Sequence, residues 1–350
     1  MNEQQQPVEG GSAEAHVPLL SVTVLNYNYA HYLPECLESI LRQTFTDFEL
    51  LLINDCSTDN SLDVIQPYLA DPRVRLINHE QNKGYIASLI EGSDCSRGTY
   101  LTVISADDFC VSDRAFETLL GPLQTHDDVA YAFSAFGLYD GESRRFFLQR
   151  RYGTSFVRDG VDQFRDLLMM GNFILHSGVI IRRSAYQAVG GYDAGVRYAG
   201  DTIMWLMLCR EGRVAYATDE LYAWRQHGSN MSVSYRALRQ SIAECMYGIH
   251  MAYGALRGRP GITHGLYVRG LKRNLSIFAE SAIFADNRRG AAYAYASAVQ
   301  MHPLLTIFQA RTVIICARAL LGANGYQSLR GALRPLRQRV MPAALRESLS

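Results

Sequence analysis

Four short apolar runs punctuate the first hundred residues: LLSVTVL (Leu19–Leu25), FELLLIN (Phe48–Asn54), VRLIN (Val74–Asn78) and YLTVIS (Tyr100–Ser105). Each has the length of a strand, and none alternates strictly with polar residues as a half-solvated strand would. Continuous runs of this kind suit a sheet covered on both faces. Helical patterns lie between them. Leu33, Leu37, Ile40 and Leu41 line one face of HYLPECLESILRQT, with Pro34 in its first turn. STDNSLDVIQPYL offers Ser57 or Asp59 as a cap, while Pro67 must kink or shorten it. The pattern in GYIASLIEGSDCS is weaker. Connections of about twenty residues suit parallel strands joined by crossover helices. The expected fold class is α/β, Rossmann-like, with a mostly parallel sheet flanked by helices.

In such sheets ligands bind beyond the carboxyl ends of the strands. The residues there are Asn26, Tyr27 and Asn28 after the first run and Asp55 after the second. Asn82, Lys83 and Gly84 follow the third after a short loop, and Asp107 and Asp108 follow the fourth. Polar and aromatic groups from four segments thus converge on one edge. Adjacent carboxylates repel each other, so the last pair calls either for a plain turn or for a cation in front of it.

From about residue 127 the rhythm changes. VAYAFSAF and FILHSGVIIRR read as strands, with a hairpin turn at Asp140-Gly141. A helix follows near Arg183–Val189, then the glycine-rich GGYDAGVRYAGD, then a helix from Asp201 to Gly212. Beyond Ser232 the chain reads as helical. At 350 residues and 48% hydrophobic, it has material for a large core. Lys+Arg and Asp+Glu balance at 34 each, so bulk charge predicts no nucleic-acid partner. Seven scattered cysteines without a CxxC pair suggest reduced thiols in a cytosolic compartment, with neither a zinc site nor a disulfide frame. MNEQQQPVEGGSAEAHVP has no apolar core and reads as a disordered lead-in. Arg311 and Arg318 interrupt the apolar stretch Leu304–Ala323, which argues against a membrane-spanning helix.

Five ordered motifs over Leu19–Ser232 resemble glycosyltransferase family 2, inverting enzymes of the GT-A fold that use nucleotide sugars. SVTVLNYN resembles the opening strand and nucleotide-contacting turn, and INDCSTDNS the acidic loop after the second strand. NKGYIASLIEGSDCSRGTYLTVISADD keeps the family spacing from Asn-x-Gly to the DXD-type acids. RRSAYQAVGGYD resembles the Arg-Arg…Gly-Gly-Phe-Asp stretch. GDTIMWLMLCREG with YAWRQHGSNMS resembles the Glu-Asp…Trp and Tyr-Arg-x-His…Ser elements.

The resemblance implies roles for individual residues. Asp107 matches the last DXD acid and is expected to bind a divalent cation, Mn2+ or Mg2+, which would stabilise the leaving diphosphate. Asp108 supports that loop or lines the donor sugar. Ser105 stands where the family's first acid stands, and brings a hydroxyl without charge. Asp55 matches the acid that accepts the N3–H of uracil or thymine; its plain alternative is a helix cap. Asn54 replaces an acid found in many relatives. Tyr27 is expected to stack on the base, with Asn28, Asn82 and Lys83 near the nucleotide. Leu89 and Ile90 replace the Arg and Asn of many relatives and inherit no role. Asp201 matches the catalytic base that takes the acceptor proton, although it also reads as an N-cap, where the helix dipole would weaken it as a base. Gly200 replaces the usual preceding acid. Trp205 is either a sugar contact or a buried helix face. His227 is a candidate metal ligand, and Arg225 a diphosphate contact. Gly190 and Gly191 suit a tight turn on the acceptor side.

The expected organisation is a lead-in over 1–17, a catalytic domain over 18–232 and a helical carboxy-terminal region over 233–350. Within the catalytic domain, 18–110 would bind nucleotide and 111–232 the acceptor. From Arg311 onward seven arginines face one acid, Glu347, a local charge of +6. Helices carrying that charge suit peripheral contact with an anionic membrane, on the inner face of the plasma membrane. The expected activity is transfer from a UDP- or dTDP-sugar to a glycan or lipid-linked acceptor in bacterial surface polysaccharide synthesis. The alternative is a non-catalytic partner subunit that binds nucleotide sugar or glycan. A nucleotidyltransferase lacks its glycine-rich basic loop here, and an oxidoreductase its G-x-G-x-x-G after the first strand.

Overall fold

The apolar runs form four strands: β1 (Leu20–Asn26), β2 (Phe48–Asn54), β3 (Val74–Asn78) and β4 (Tyr100–Ser105). The computed structural model describes residues 16–228, 230 and 235–284, without the side chains of 235–239 and 279–284. The expected lead-in up to residue 15, the Leu304–Ala323 stretch and the basic segment from Arg311 lie outside the described residues. β1, β2 and β4 are almost wholly buried, as runs covered on both faces must be. All their pairings with one another and with β3 are parallel. Three helices make the crossovers: α1 (Leu33–Leu41), α2 (Ser61–Ile65) and α3 (Tyr85–Cys95). At Pro67 the chain leaves α2 and continues as a 3-10 turn over Gln66–Ala70, the shortening that its missing N–H imposes.

α3 read weakly because its buried face is made of small residues, Ser88, Gly92 and Ser93, beside Leu89. A Cβ on Gly92 would lie 2.5 Å from Thr23 Cγ2 and 2.9 Å from Ile53 Cδ1, so α3 packs on the sheet at a distance that only glycine permits.

Beyond β4 the sheet turns mixed. β5 (Phe109–Cys110) and α4 (Ala115–Thr125) precede the long β6 (Val129–Tyr139). β7 (Arg145–Gln149), β8 (Phe156–Asp159) and α5 (Gly160–Met170) follow. Next come β9 (Val179–Arg182), α6 (Arg183–Ala188), α7 (Gly200–Leu208) and β10 (Arg213–Arg225). The strand order is β3-β2-β1-β4-β9-β6-β10-β5, with β7 on β6 and β8 on β10. β9 runs antiparallel to β4 and β6, while β10 runs parallel to β6. The expected hairpin at Asp140-Gly141 joins β6 to β7. The expected helix at Asp201 begins one residue earlier, with Ala199 as its N-cap, and ends at Leu208.

α8 (Tyr235–Leu256) and α9 (His264–Phe284) close the described chain. Ile249, Ala252, Leu256 and Leu266 belong to the same buried cluster as Trp205, Phe164 and Val179. Among the described residues, no helix is long and apolar enough to cross a membrane, and all six described cysteines are free thiols.

Candidate active site

A cleft of about 990 Å3 opens beyond the carboxyl ends of β1, β2 and β4. Three asparagines link the strand ends there, of which Asn26 lines the cleft. Asn26 Nδ2 donates to Asn54 Oδ1 and Asn54 Nδ2 to Asn78 Oδ1, each at 2.8 Å, tying β1, β2 and β3 together. Asn54 must both accept and donate here, which a carboxylate cannot do. That accounts for the amide at this position.

Tyr27, Asp55, Asn82, Lys83, Ser105, Asp107, Asp108 and Asp201 all line this cleft. Tyr27 is exposed, as a stacking platform requires. Asp55 does not cap α2; Asp59 takes the Ser61 N–H there, at 3.0 Å. Instead Asp55 Oδ1 accepts the Lys83 N–H at 2.8 Å and lies 2.8 Å from His79 Nδ1, while Oδ2 accepts the Gly84 N–H at 2.8 Å. A carboxylate oxygen takes two donors, so Oδ2 keeps one acceptor site for a ligand. Asn82 bonds the Asp55 carbonyl at 3.3 Å, and Lys83 Nζ pairs with Glu91 at 2.7 Å.

Asn28 is not among the cleft residues. Its backbone has φ 58°, and its Oδ1 accepts the Thr58 N–H at 2.7 Å, clamping the β1 turn to the β2 turn. Arg225 is also absent from the lining. It is 3% exposed, its guanidinium donates to the Asp107 carbonyl at 2.9 Å and pairs with Glu35, and it stacks over Tyr32. In this arrangement it braces the acidic turn.

Asp107 and Asp108 are both buried. Asp107 Oδ2 lies 3.0 Å from His227 Nε2 and 3.4 Å from Asn230 Nδ2. Burial raises the pKa of Asp107, against the pull of His227 and Arg225. Asp108 accepts from Ser177 Oγ at 2.5 Å and from the Arg225 N–H at 3.1 Å. Burial first, and then the charge of Asp107, hold it well above the usual carboxylate range. Among the described residues, no group of three or more His, Cys, Asp or Glu side chains could hold a metal ion. Asp107 and His227 supply one oxygen and one nitrogen in mutual contact. That donor set fits a divalent cation completed by oxygens of a bound diphosphate.

Asp201 also lines the cleft, and its side chain is half-buried. Its Oδ2 accepts from Asn172 Nδ2 at 2.9 Å, and its Oδ1 from the Thr202 N–H at 2.6 Å. Burial raises its pKa, and these hydrogen bonds oppose the rise. Burial thus outweighs the helix N-terminus, and the carboxylate is a stronger base than its helix position alone implies. Trp205, one turn later, is fully buried and stacks on Tyr131, so it is core. Gly190 and Gly191 have φ 88° and 73° and end α6 in a tight turn.

Several residues here carried no signal in the sequence. Tyr85 and His176 line the cleft and meet at 2.7 Å. Glu244 on α8 accepts the N–H groups of Arg197 (2.9 Å), Tyr198 (2.7 Å) and Ala199 (2.9 Å), and takes a further bond from Gln240 at 2.8 Å. A carboxylate from a remote helix thereby fixes the loop leading into α7. Only its spacing from Gln240 on one helical face could have marked it.

Residues 21–190 match the family model described as Glycosyl transferase family 2. That match spans 170 of the chain's 350 residues. Among curated proteins, the chain is similar to Glycosyltransferase GlyG of Streptococcus pneumoniae, with 28% identity over 222 residues, 61% of this chain and 72% of the relative. Among solved structures it is similar to S. aureus TarS, at TM-score 0.60 and 16% identity, over 82% of this chain and half of that one. TarS residues 1–349 in complex with UDP-GlcNAc align at TM-score 0.55 and 15% identity, over 81% of this chain and 89% of that one. The mannosyltransferase PcManGT of Pyrobaculum calidifontis, in complex with GDP-Man and Mn2+, aligns at TM-score 0.52 and 14% identity, over 87% and 88%. At these identities the solved structures speak for the fold, which is the GT-A fold of glycosyltransferases.

Proposed function

We propose that the chain is a metal-dependent, inverting glycosyltransferase. It moves a sugar from a UDP- or dTDP-sugar to a hydroxyl of a glycan or lipid-linked acceptor, in the synthesis of a bacterial surface polysaccharide. One observation carries this reading: a single cleft is lined by Tyr27, Asp55, Asp107 and Asp201, and His227, itself outside the lining, lies 3.0 Å from Asp107. The TarS complexes with UDP and UDP-GlcNAc, on the same fold, support the choice of a uridine donor.

Tyr27 stacks on the base, a contact worth about 1 kcal/mol. Asp55 Oδ2 accepts the imide N–H of uracil or thymine. A divalent cation, Mn2+ or Mg2+, held by Asp107 and His227 would supply charge stabilisation for the leaving diphosphate. Asp108 and Arg225 keep the Asp107 turn in place. Asp201 takes the proton of the acceptor hydroxyl as its oxygen bonds to C1 of the sugar. The bond from C1 to the diphosphate oxygen breaks in the same displacement, so the configuration at C1 inverts. Docking on a membrane through the basic segment from Arg311 is part of the same proposal.

Calorimetric titration of UDP tests the donor side. Binding should require Mn2+, disappear with EDTA and weaken at least tenfold in Asp107→Asn. Equal binding with and without the ion would remove Asp107 from that role. On the acceptor side, Asp201→Asn should abolish transfer while UDP affinity stays within twofold. A chain that binds UDP-sugar but shows no turnover dependent on Asp201 would be a binding subunit.

A further inference from the structure

Three side chains of the short segment Asn172–Gly178 reach three different parts of the cleft. Asn172 Nδ2 donates to Asp201 Oδ2 at 2.9 Å. His176 Nδ1 meets the Tyr85 hydroxyl at 2.7 Å. Ser177 Oγ donates to Asp108 Oδ2 at 2.5 Å. Tyr85 lines the same cleft as Asp201, Asp107 and Asp108, and the charges of all three act on its hydroxyl. The neighbouring residue places it independently: a Cβ on Gly200 would lie 3.3 Å from Ile86 Cδ1, so the first turn of α3 abuts the first turn of α7, which carries Asp201. In an inverting displacement the sugar occupies the space between base and leaving group, because attack and departure lie on opposite faces of C1. A side chain fixed in that space faces the sugar.

We propose that Tyr85 is a donor-sugar contact whose hydroxyl exchanges a hydrogen bond with a sugar hydroxyl, and that His176 is the positioning residue that aims it. This rests on the glycosyl-transfer reading above. The chemistry is that of neutral partners. His176 Nε2 lies 2.9 Å from the Tyr192 hydroxyl, so both ring nitrogens meet tyrosines. Burial pushes the imidazole down to about 4, which leaves it neutral, with one nitrogen donating and the other accepting. The tyrosine–histidine–tyrosine chain therefore runs with a single polarity. Tyr85 and Ser105 both line the cleft. A phenol both donates and accepts, so with the His176 contact made capacity remains for a ligand. Ser105, where the family has an acid, belongs to the same neutral wall. A hydroxyl-bearing sugar without a negative charge suits it, given Asp107, Asp108 and Asp201 around the same space.

The test compares calorimetric affinities of the full chain and of Tyr85→Phe, in Mn2+ buffer. The titrants are UDP, UDP-glucose, UDP-galactose and UDP-N-acetylglucosamine, with dTDP and dTDP-glucose alongside. Tyr85→Phe should bind the free nucleotide within twofold of wild type, which also shows that it is folded. The sugar nucleotide that wild type prefers should bind about five- to tenfold more weakly, the effect of one lost hydrogen bond. His176→Gln should give a loss with the same nucleotide-sparing pattern. An equal loss for nucleotide and sugar nucleotide, or no loss for either, would overturn the proposal. A wild-type chain that bound none of these nucleotides would overturn the donor reading itself, and this proposal with it.

Discussion

At the scale of single residues, the site stores charge that the fold alone does not favour. Asp107 and Asp108 are adjacent, buried carboxylates whose pKa values are raised above the ordinary carboxylate range. A raised folded pKa means that the ionised form costs stability, a cost fully present above that pKa and relieved as pH falls through it. Asp107→Asn removes one buried charge and its repulsion on Asp108. It should therefore raise the melting temperature of the ligand-free protein at neutral pH, by about 1–3 °C, while abolishing metal-dependent nucleotide binding. Asp201 gives a second pH signature. Its carboxyl is also raised, and only the ionised form can take a proton. The rate of transfer should fall with decreasing pH, with a midpoint above the usual aspartate value and absent from the pH dependence of UDP binding. A rate flat between pH 5 and 7 would leave this carboxylate without its role. Asp55, Asp107 and Asp201 were legible in the sequence because each follows a recognisable apolar run or motif. Arg225 was legible as a charge but not as a brace, since its partner Glu35 lies 190 residues away.

At the scale of elements, legibility followed burial. β1, β2 and β4 read clearly because both their faces are covered, and a short continuous apolar run between turn residues suits little besides a buried strand. β10 did not read as a strand, because Asp219 and Glu220 interrupt it where its pairing with β6 slips register. α4 carries Pro122 in its interior, which breaks the usual helical signature. Glu244 was invisible for a different reason: its partners are backbone N–H groups of a distant loop, and a backbone donor leaves no trace in residue identity. Glu244→Ala would leave those three N–H groups without their acceptor, that of Ala199 in a buried position. Urea unfolding should register a loss of about 2–4 kcal/mol, and transfer should slow while UDP affinity holds. A variant as stable and active as wild type would mean that the loop does not depend on this carboxylate.

At the scale of the whole molecule, the chain reads as two halves that share one sheet. The first half, parallel throughout, carries Tyr27, Asp55 and Asp107. The second half, mixed in direction, supplies Asp201 and His227. The carboxy-terminal helices are no mere appendage within the described residues, since Ile249, Ala252 and Leu256 complete the cluster around Trp205. A chain cut after residue 232 should therefore lose cooperative thermal unfolding followed by circular dichroism. A truncated chain that melted like the full one would make α8 and α9 dispensable. The turn from Asn172 to Gly178 has a consequence for how such enzymes diverge. It anchors Asp201 through Asn172 and Asp108 through Ser177, yet meets Tyr85 through His176, a separate side chain bonded to a separate helix. If Tyr85 faces the donor sugar as proposed, substitutions at Tyr85 or His176 change which donor is accepted without moving the carboxylates. Evolution, or an engineer, is thus given a dial for substrate choice that turns independently of the chemistry.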